Sequence, residues 1–163
     1  MYDSSYNEFD GLDGLDVEFL IIMLICIALI SIADYLINSL IYYQASKANG
    51  FSKQAYIAWI PLVGVYNLFL LTAKGDDDAS VRAATKKNVL IYVGLILVSF
   101  IPFLGIIASL GLFGFTLYFT YRLFYRWSGE PGRAVLYIIL SFITFGLFYF
   151  IYGLMKMNKP FVA

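Results

Sequence analysis

The residues of this chain that could do chemistry inside an apolar environment lie on one face of its first hydrophobic segment. Ser31, Asp34 and Asn38 are spaced at i, i+3 and i+7, which places them on one side of a helix, and Tyr42 continues that side. A carboxylate within a membrane-length helix is costly and usually faces protein or water. Asp34 therefore belongs either to an ion or proton site or to a structural ion pair. We favour the pair, for which Arg122 is the basic residue nearest in expected depth.

The remaining composition argues against catalysis. The chain contains no histidine and one cysteine, Cys26, which excludes an intramolecular disulfide, a zinc site of histidine and cysteine, and histidine-based catalysis. The three aspartates at 76–78 could bind a divalent cation through their oxygens. Acids that precede a basic helix are more simply interpreted as its N-terminal cap. We therefore expect no enzymatic activity, no metal site and no cofactor.

The composition also identifies the class of protein. Of the 163 residues, 61% are apolar and only 13% are charged, which is typical of an integral membrane protein, and the zero net charge argues against nucleic-acid binding. Seven of the eleven acidic residues lie in the first 46 residues, which contain no lysine or arginine. A signal peptide carries positive charge before its apolar segment. We interpret 1–16 as a flexible acidic tail, 17–163 as one membrane domain and 17–43 as a retained spanning helix.

Three turns spaced 41 residues apart organise the rest of the chain. The sequence around Pro61 and Gly64 returns around Pro102 and Gly105, and a degraded third copy without proline is centred on Gly146. A proline three residues before a glycine, within an apolar run flanked by lysine or arginine, predicts a break between helices. The expected fold is all-α, with one N-terminal spanning helix followed by three helical hairpins. The hairpins cover 53–74, 87–126 and 133–157.

The basic residues predict how these hairpins meet the membrane. Positive residues are retained on the cytoplasmic side, so the acidic N-terminus is expected outside and the C-terminus inside. If every apolar run crossed, seven of the eleven basic residues would lie outside. If each turn is the tip of a hairpin that enters and leaves from the cytoplasm, all eleven lie inside, which is the better interpretation.

The lengths of the arms refine this topology. The arms of the first and third hairpins reach only about 12–15 Å, half the hydrocarbon thickness, whereas those of the middle hairpin reach roughly 22–26 Å. The first and third hairpins are therefore predicted to be re-entrant. Full crossing by kinked helices stays open as the alternative.

Further polar residues belong to this arrangement. Asn67, three residues past the first turn, is expected to satisfy the free backbone groups of that turn in preference to binding a ligand. Basic residues at the cytoplasmic ends of the hairpins are candidates for contact with anionic lipid head groups. These are Arg82, Lys86, Lys87, Arg126 and Arg133.

Short motifs in the middle of the chain resemble those of a family. Lys47-Ala48-Asn49-Gly50-Phe51 precedes Ala58-Trp59-Ile60-Pro61, Tyr66-Asn67 and Phe100-Ile101-Pro102. Residues 44–155 thereby resemble an uncharacterised bacterial family of small multi-helix membrane domains with Ile-Pro and Tyr-Asn signatures, sometimes fused to signal peptidases. The third turn, where Ile143 and Thr144 stand in place of the proline, and the acidic loop at 76–78 depart from that pattern. The resemblance implies a bacterial inner-membrane protein and transfers no catalytic residue.

Two functions stay open at this point. The first is a non-enzymatic scaffold or accessory subunit that packs against a copy of itself or a membrane partner. The second is a small oligomeric channel or transporter, in which the Asp34 face and the hairpin tips line a path. Only one acid lies in the apolar region, which favours the scaffold. In either case the expected partners are membrane lipids and either further copies of the chain or another membrane protein.

Overall fold

The computed structural model describes residues 12–61, 63–75 and 77–163 of the chain. Within these ranges the secondary structure is entirely helical, with six α-helices, one 3₁₀ helix and no strand, so the predicted all-α fold is confirmed. The α-helices are α1 Leu12–Ala48, α2 Val65–Thr72, α3 Asp78–Ser99, α4 Leu104–Ser128, α5 Pro131–Ile143 and α6 Leu147–Lys156. The 3₁₀ helix covers Ala55–Trp59.

The chain divides within α1 into two compact units. Unit 1 is Met1–Leu36 and unit 2 is Ile37–Ala163. The described part of unit 1 is a single helix, and from Val17 to Leu36 none of its side chains is buried. α1 begins five residues before the predicted start at 17, so 12–16 of the predicted flexible tail is helical. The rest of that tail, 1–11, lies outside the described residues.

α1 continues past the predicted end at 43 and stops at a glycine cap. Gly50 has a φ of +87°, which glycine adopts without the steric cost of a Cβ. The N–H of Phe51 donates to the carbonyl of Ser46 at 2.8 Å, and the N–H of Gly50 donates to the carbonyl of Lys47 at 3.4 Å. These two bonds form a Schellman motif, which satisfies the last carbonyls of the helix.

The first arm of the first predicted hairpin is a 3₁₀ helix rather than an α-helix. The N–H of Ile57 donates to the carbonyl of Gln54 at 3.1 Å, and the N–H of Ile60 donates to that of Ile57 at 3.0 Å. The cap at Gly50 precedes this segment, and Pro61 disfavours the α conformation in the residue before it. Only a short helix fits between these two stops.

Turns 1 and 2 share one construction, as their matching sequences predict. Turn 1 covers 60–64, of which Leu62 is not described, and turn 2 covers 100–103. The N–H of Gly64 donates to the carbonyl four residues earlier at 3.0 Å, and that of Gly105 does the same at 2.8 Å. A Cβ at either glycine would meet the carbonyl oxygen six residues earlier, at 2.8 Å for Gly64 and 2.5 Å for Gly105. Both positions therefore require glycine.

Turn 3, residues 144–146, is not a degraded copy of the other two. The N–H of Phe145 donates to the carbonyl of Phe142 at 3.2 Å, and that of Gly146 donates to Ser141 at 2.7 Å. This Schellman pattern places Phe145, with a φ of +50°, at the left-handed position that glycine usually holds. Without a proline, the chain ends α5 through this cap and begins α6 with a hydrogen bond from the N–H of Phe148 to Oγ1 of Thr144, at 3.0 Å.

α3 begins at a capping box formed by the acidic run. The N–H of Ser80 donates to Oδ1 of Asp77 at 3.2 Å, and the N–H of Asp77 donates to Oγ of Ser80 at 3.3 Å. The hydrogen bonds from Ser80 hold the pKa of Asp77 below its usual value. This is the helix start that the sequence predicted for the aspartates at 76–78, although Asp76 lies outside the described residues.

The core of unit 2 is aromatic and lies where α2, α4, α5 and α6 meet. Phe69 packs edge-on against Phe119 and Phe115, with ring centroids 4.8 and 5.5 Å apart. Phe124 is fully buried and makes edge contacts with Tyr137 and Tyr152, both at 5.7 Å. Rings of this size dominate packing energies, so these contacts fix the short helices against α4.

Candidate functional site

Unit 2 has a charged end and an uncharged end. The segments 54–73, 88–121 and 134–155 contain no acidic or basic residue, and each holds one turn. The C-terminal ends of α2 and α4 meet, because Nη1 of Arg126 donates to the carbonyl of Leu71 at 2.6 Å. The residues after α6 return to the same place, where the N–H of Val162 donates to the carbonyl of Arg126 at 2.8 Å. We name this the charged end, and the opposite end, which carries the turns, the turn end.

The turn end consists of apolar side chains that are exposed. Phe103 is 91% exposed and Phe145 is 97% exposed, the two highest values among the exposed large apolar residues of the described chain. The neighbouring apolar side chains are exposed as well. These are Ile60, Val63, Phe100, Ile101, Leu104, Phe142, Ile143 and Leu147. A turn that ended in water would leave these side chains hydrated, at a cost of about 25 cal/mol for each Å² of apolar surface.

Two of the exposed phenylalanines also occupy an unfavourable backbone conformation. Phe103 has a φ of +63° and Phe145 a φ of +50°, where a Cβ costs roughly 1–2 kcal/mol. Turn 2 tightens around Phe103, and the N–H of Leu104 donates to the carbonyl of Pro102 at 2.8 Å. Neither ring gains packing against the described residues that would offset this cost. Both phenylalanines therefore hold strained backbone positions with their rings exposed.

The three turns end at different distances from the charged end. Phe142, just before turn 3, lies beside Phe113 with ring centroids 6.0 Å apart. Phe113 is nine residues beyond the start of α4, so turn 3 stops roughly 10 Å short of turn 2. The contacts of Phe69 with Phe115 and Phe119 place the start of α2 about 14 Å short of turn 2. The middle hairpin is therefore the long one, as its arm lengths predicted.

The charged end contains a cluster around Arg126 that the sequence did not reveal. Besides the bond to Leu71, Nε of Arg126 donates to the backbone oxygen of Ala163 at 3.2 Å, and its guanidinium lies 4.7 Å from the centroid of Phe161. The N–H of Phe161 donates to Oδ1 of Asn49 at 2.7 Å. Arg126 thereby ties the segment after α6 to α2, and its contact with lipid head groups stays a prediction.

The other head-group candidates are more accessible. Nε of Arg133 lies 2.8 Å from Oε2 of Glu130, and Nη2 of Arg82 lies 3.9 Å from Oδ2 of Asp78. Both pairs are solvent-exposed, where an ion pair adds little stability. The amines of Lys86 and Lys87 are exposed on α3. Contact of these four residues with lipid head groups stays a prediction.

A buried polar cluster joins α1, the 3₁₀ helix and α2 near the charged end. The Nδ2 of Asn67 donates to Oγ of Ser46 at 3.2 Å and to the carbonyl of Ala55 at 3.1 Å. Ser46 and Asn67 are fully buried. This carbonyl lies at the start of the 3₁₀ helix, and contact of Asn67 with the backbone of turn 1 stays a prediction. Ser46 was missed, although it lies four residues past Tyr42 and continues the same helical spacing.

Replacing Asn67 by alanine should lower the free energy of unfolding by about 1–2 kcal/mol, because the carbonyl of Ala55 would be buried without its donor. Chemical unfolding in detergent micelles, followed by tryptophan fluorescence, measures the change. Asn88 is half-buried on α3 and provides the matched control, since the same substitution there should change stability by about 0.5 kcal/mol or less. Equal losses at both sites would contradict the structural role of Asn67.

The polar face predicted on α1 is split between the two units. Ser31 is exposed in unit 1, and its Oγ donates to the carbonyl of Ile27 at 2.8 Å, the ordinary bond of a serine within a helix. Asp34 is exposed in the same unit, whereas Asn38 is half-buried in unit 2. Arg122 is half-buried in unit 2. The pairing of Asp34 with Arg122 therefore stays a prediction.

Two helices of the described chain have the length and composition of membrane spans. They are Val17–Ala48 and Leu104–Ser128. In the first helix, the most apolar stretch of 18 residues has no buried residue. In the second helix, 11% of the corresponding stretch is buried. A signal sequence and the core helix of a soluble protein can pass the same test of length and composition. Among the described residues, no group of three or more histidine, cysteine, aspartate or glutamate side chains could hold a metal ion.

These features define the class of the protein: an all-helical chain with two apolar helices of membrane length. A search of protein-family models, curated proteins and solved structures finds no match to it. The resemblance to small bacterial membrane domains therefore stays a prediction, and the function has to be argued from the two ends of unit 2.

Proposed function

We propose that this chain is an integral membrane scaffold whose three hairpins enter the bilayer from one side and turn within hydrocarbon. The observation that carries the proposal is the turn end, where exposed phenylalanines hold strained backbone positions and no charge is present. The N-terminus lies outside, and the charged end and C-terminus face the cytoplasm. The helix of unit 1 crosses the membrane.

The backbone of the turns is suited to a site without water. Unsatisfied N–H groups cost several kcal/mol in hydrocarbon, so a turn at that depth has to bond them itself. The N–H groups of Gly64, Gly105 and Gly146 all donate to carbonyls of the segment just before them, at 2.7–3.0 Å. A crossing hairpin would instead place its turn in water on the far side, where polar residues and flexible loops are the rule.

The charged end supports the same orientation. Basic residues lie at the charged end of unit 2, and Lys86 and Lys87 are about 20 Å from turn 2 along α3. Long lysine side chains can reach the interface from such a position while their stems remain in the apolar layer. The middle hairpin then penetrates most of the hydrocarbon layer, and the flanking hairpins are re-entrant.

A scaffold role follows from what the exposed surface offers. The outer face of α4 presents Ile106, Ile107, Leu110 and Phe113, all exposed, to lipid or to another protein. An apolar face of this kind suits packing against a second copy or a membrane partner. The side-chain bonds of Asn67 and Arg126 join segments of unit 2, which favours a structural role over a catalytic one.

Cysteine labelling in intact cells tests this topology. In a Cys26→Ser background, we expect Arg82→Cys to react with an impermeant maleimide only after the cells are permeabilised. Phe103→Cys should react in neither condition, because turn 2 lies in hydrocarbon. Ser4→Cys, in the acidic tail, is the positive control and should react from outside. Labelling of Phe103→Cys from the exterior would show that the middle hairpin crosses the membrane. Labelling of Arg82→Cys from the exterior would show that the proposed orientation is wrong.

A further inference from the structure

We infer that unit 2 is a rigid wedge that favours membranes whose convex side carries its charged end. This inference rests on the proposed function, since it requires the turns to end within the bilayer. It adds an activity: the protein would select curved membrane, and at high density would bend it. The observation that carries it is the change in helix number between the two ends of unit 2.

Six helical segments meet at the charged end. The final part of α1 is joined to α2 by the bond from Asn67 to Ser46, and Ile41 of α1 lies against Gly153 near the end of α6. α2 is joined to α4 by Arg126. α5 follows α4 through a two-residue link, and α3, which is antiparallel to α4 and nearly as long, begins near the charged end.

Among α2 to α6, only α3 and α4 continue to the depth of turn 2. α2 has 8 residues, α6 has 10 and α5 has 13, whereas α3 has 22 and α4 has 25. At 1.5 Å per residue, α2, α5 and α6 extend only about 12–20 Å, and α3 and α4 extend about 33–38 Å. The last 10 Å or so of unit 2 therefore consists of the α3–α4 hairpin alone.

We call this narrowing of unit 2, from the charged end to turn 2, the taper. Because of the taper, unit 2 occupies a larger area in one leaflet than in the other. A helix about 10 Å wide covers roughly 80 Å². α1 continues as the helix of unit 1, so the loss of α2, α5 and α6 makes a difference on the order of 240 Å² between the two ends. The leaflet that contains the charged end must expand by that area relative to the other leaflet. Curvature that is convex on the charged side relieves the mismatch.

The taper is held by packing and cannot easily collapse. Phe124 lies at the junction of α4, α5 and α6 and makes edge contacts with Tyr137, Tyr149 and Tyr152 at 5.7–5.9 Å. A packed core of this kind has low compressibility and transmits strain to its surroundings. The lipid therefore has to adapt to unit 2.

Orientation in vesicles of two sizes tests the wedge. We would reconstitute the full chain, as Cys26→Ser with Lys53→Cys, from detergent into small sonicated and large extruded vesicles of zwitterionic phospholipid. Lys53 is exposed at the charged end. Labelling by an impermeant maleimide before and after detergent gives the ratio of outward to inward charged ends. We expect this ratio to rise at least twofold from large to small vesicles. Molecules whose charged end faces inward in the same vesicles serve as the matched control for the amount of protein incorporated.

Two outcomes would overturn the proposals separately. An equal ratio at both sizes would show that unit 2 does not respond to curvature, provided that Phe103→Cys stays unlabelled in the same vesicles. Labelling of Phe103→Cys before detergent would show that the turn reaches water, and the proposed function would fail with the wedge.

Discussion

Replacing Gly105 by alanine should destabilise unit 2 by about 3 kcal/mol, near the upper end of the cost of overpacking. The new Cβ would lie 2.5 Å from the carbonyl oxygen of Ser99, a distance at which one of the two groups has to move. The obstacle is backbone at the end of α3, so no side-chain rotation relieves it. Turn 2 must then open, and the antiparallel contact between α3 and α4 weakens. Unfolding by denaturant in micelles measures the loss.

Gly114 provides a matched control in the same helix. A Cβ there meets nothing within 4 Å, so Gly114→Ala should be neutral or should stabilise α4 by up to about 1 kcal/mol. Gly64→Ala should fall between the two, because its Cβ would lie 2.8 Å from the carbonyl oxygen of Ala58. If Gly105→Ala and Gly114→Ala had the same stability, the close turn that we describe would be wrong.

Replacing Arg126 by glutamine should lower the free energy of unfolding by about 1.5–3 kcal/mol, the range for a hydrogen bond made by a charged group. The variant loses the bond to the carbonyl of Leu71 and the contacts with Phe161 and Ala163. The segment after α6 should then detach from the charged end. Limited proteolysis in micelles should cleave within 157–163 faster than in the parent protein.

Arg122→Gln removes the same charge one turn earlier on α4. Among the described residues of unit 2, ion pairs involve Arg82 and Arg133, and no charge-assisted bond of Arg122 is seen. The Arg122 variant should therefore keep the parent's resistance to cleavage within 157–163. Faster cleavage in both variants would point to a general effect of positive charge and would contradict a specific role of Arg126.

The positions of most helix ends could be predicted from local sequence. Pro61, Pro102 and the glycines that follow them mark helix breaks, because proline cannot continue a helix and glycine alone tolerates the close carbonyl. Gly50 marked the end of α1 for a similar reason, although α1 extends beyond the predicted 43. The third turn misled the prediction, because its register with the other two concealed a different cap, in which Phe145 holds the glycine position.

The buried contacts could not be predicted in the same way. Asn67 was recognised as structural, but its acceptor is Ala55 and its second partner is Ser46, two segments that only the fold brings together. Arg126 looked like other basic residues near the ends of the hairpins. Its bonds to Leu71 and Ala163 connect residues 55 and 37 positions apart.

The sequence by itself determined the helical class of this protein, the positions of its breaks and the separation of charge from apolar surface, since each depends on residue type and spacing along a short stretch. The tertiary structure decided which turns are long and which are short, which phenylalanines are left exposed, and which arginine is bound within the protein. Those properties depend on side chains far apart in sequence that meet only when the helices pack, and no local pattern encodes such meetings.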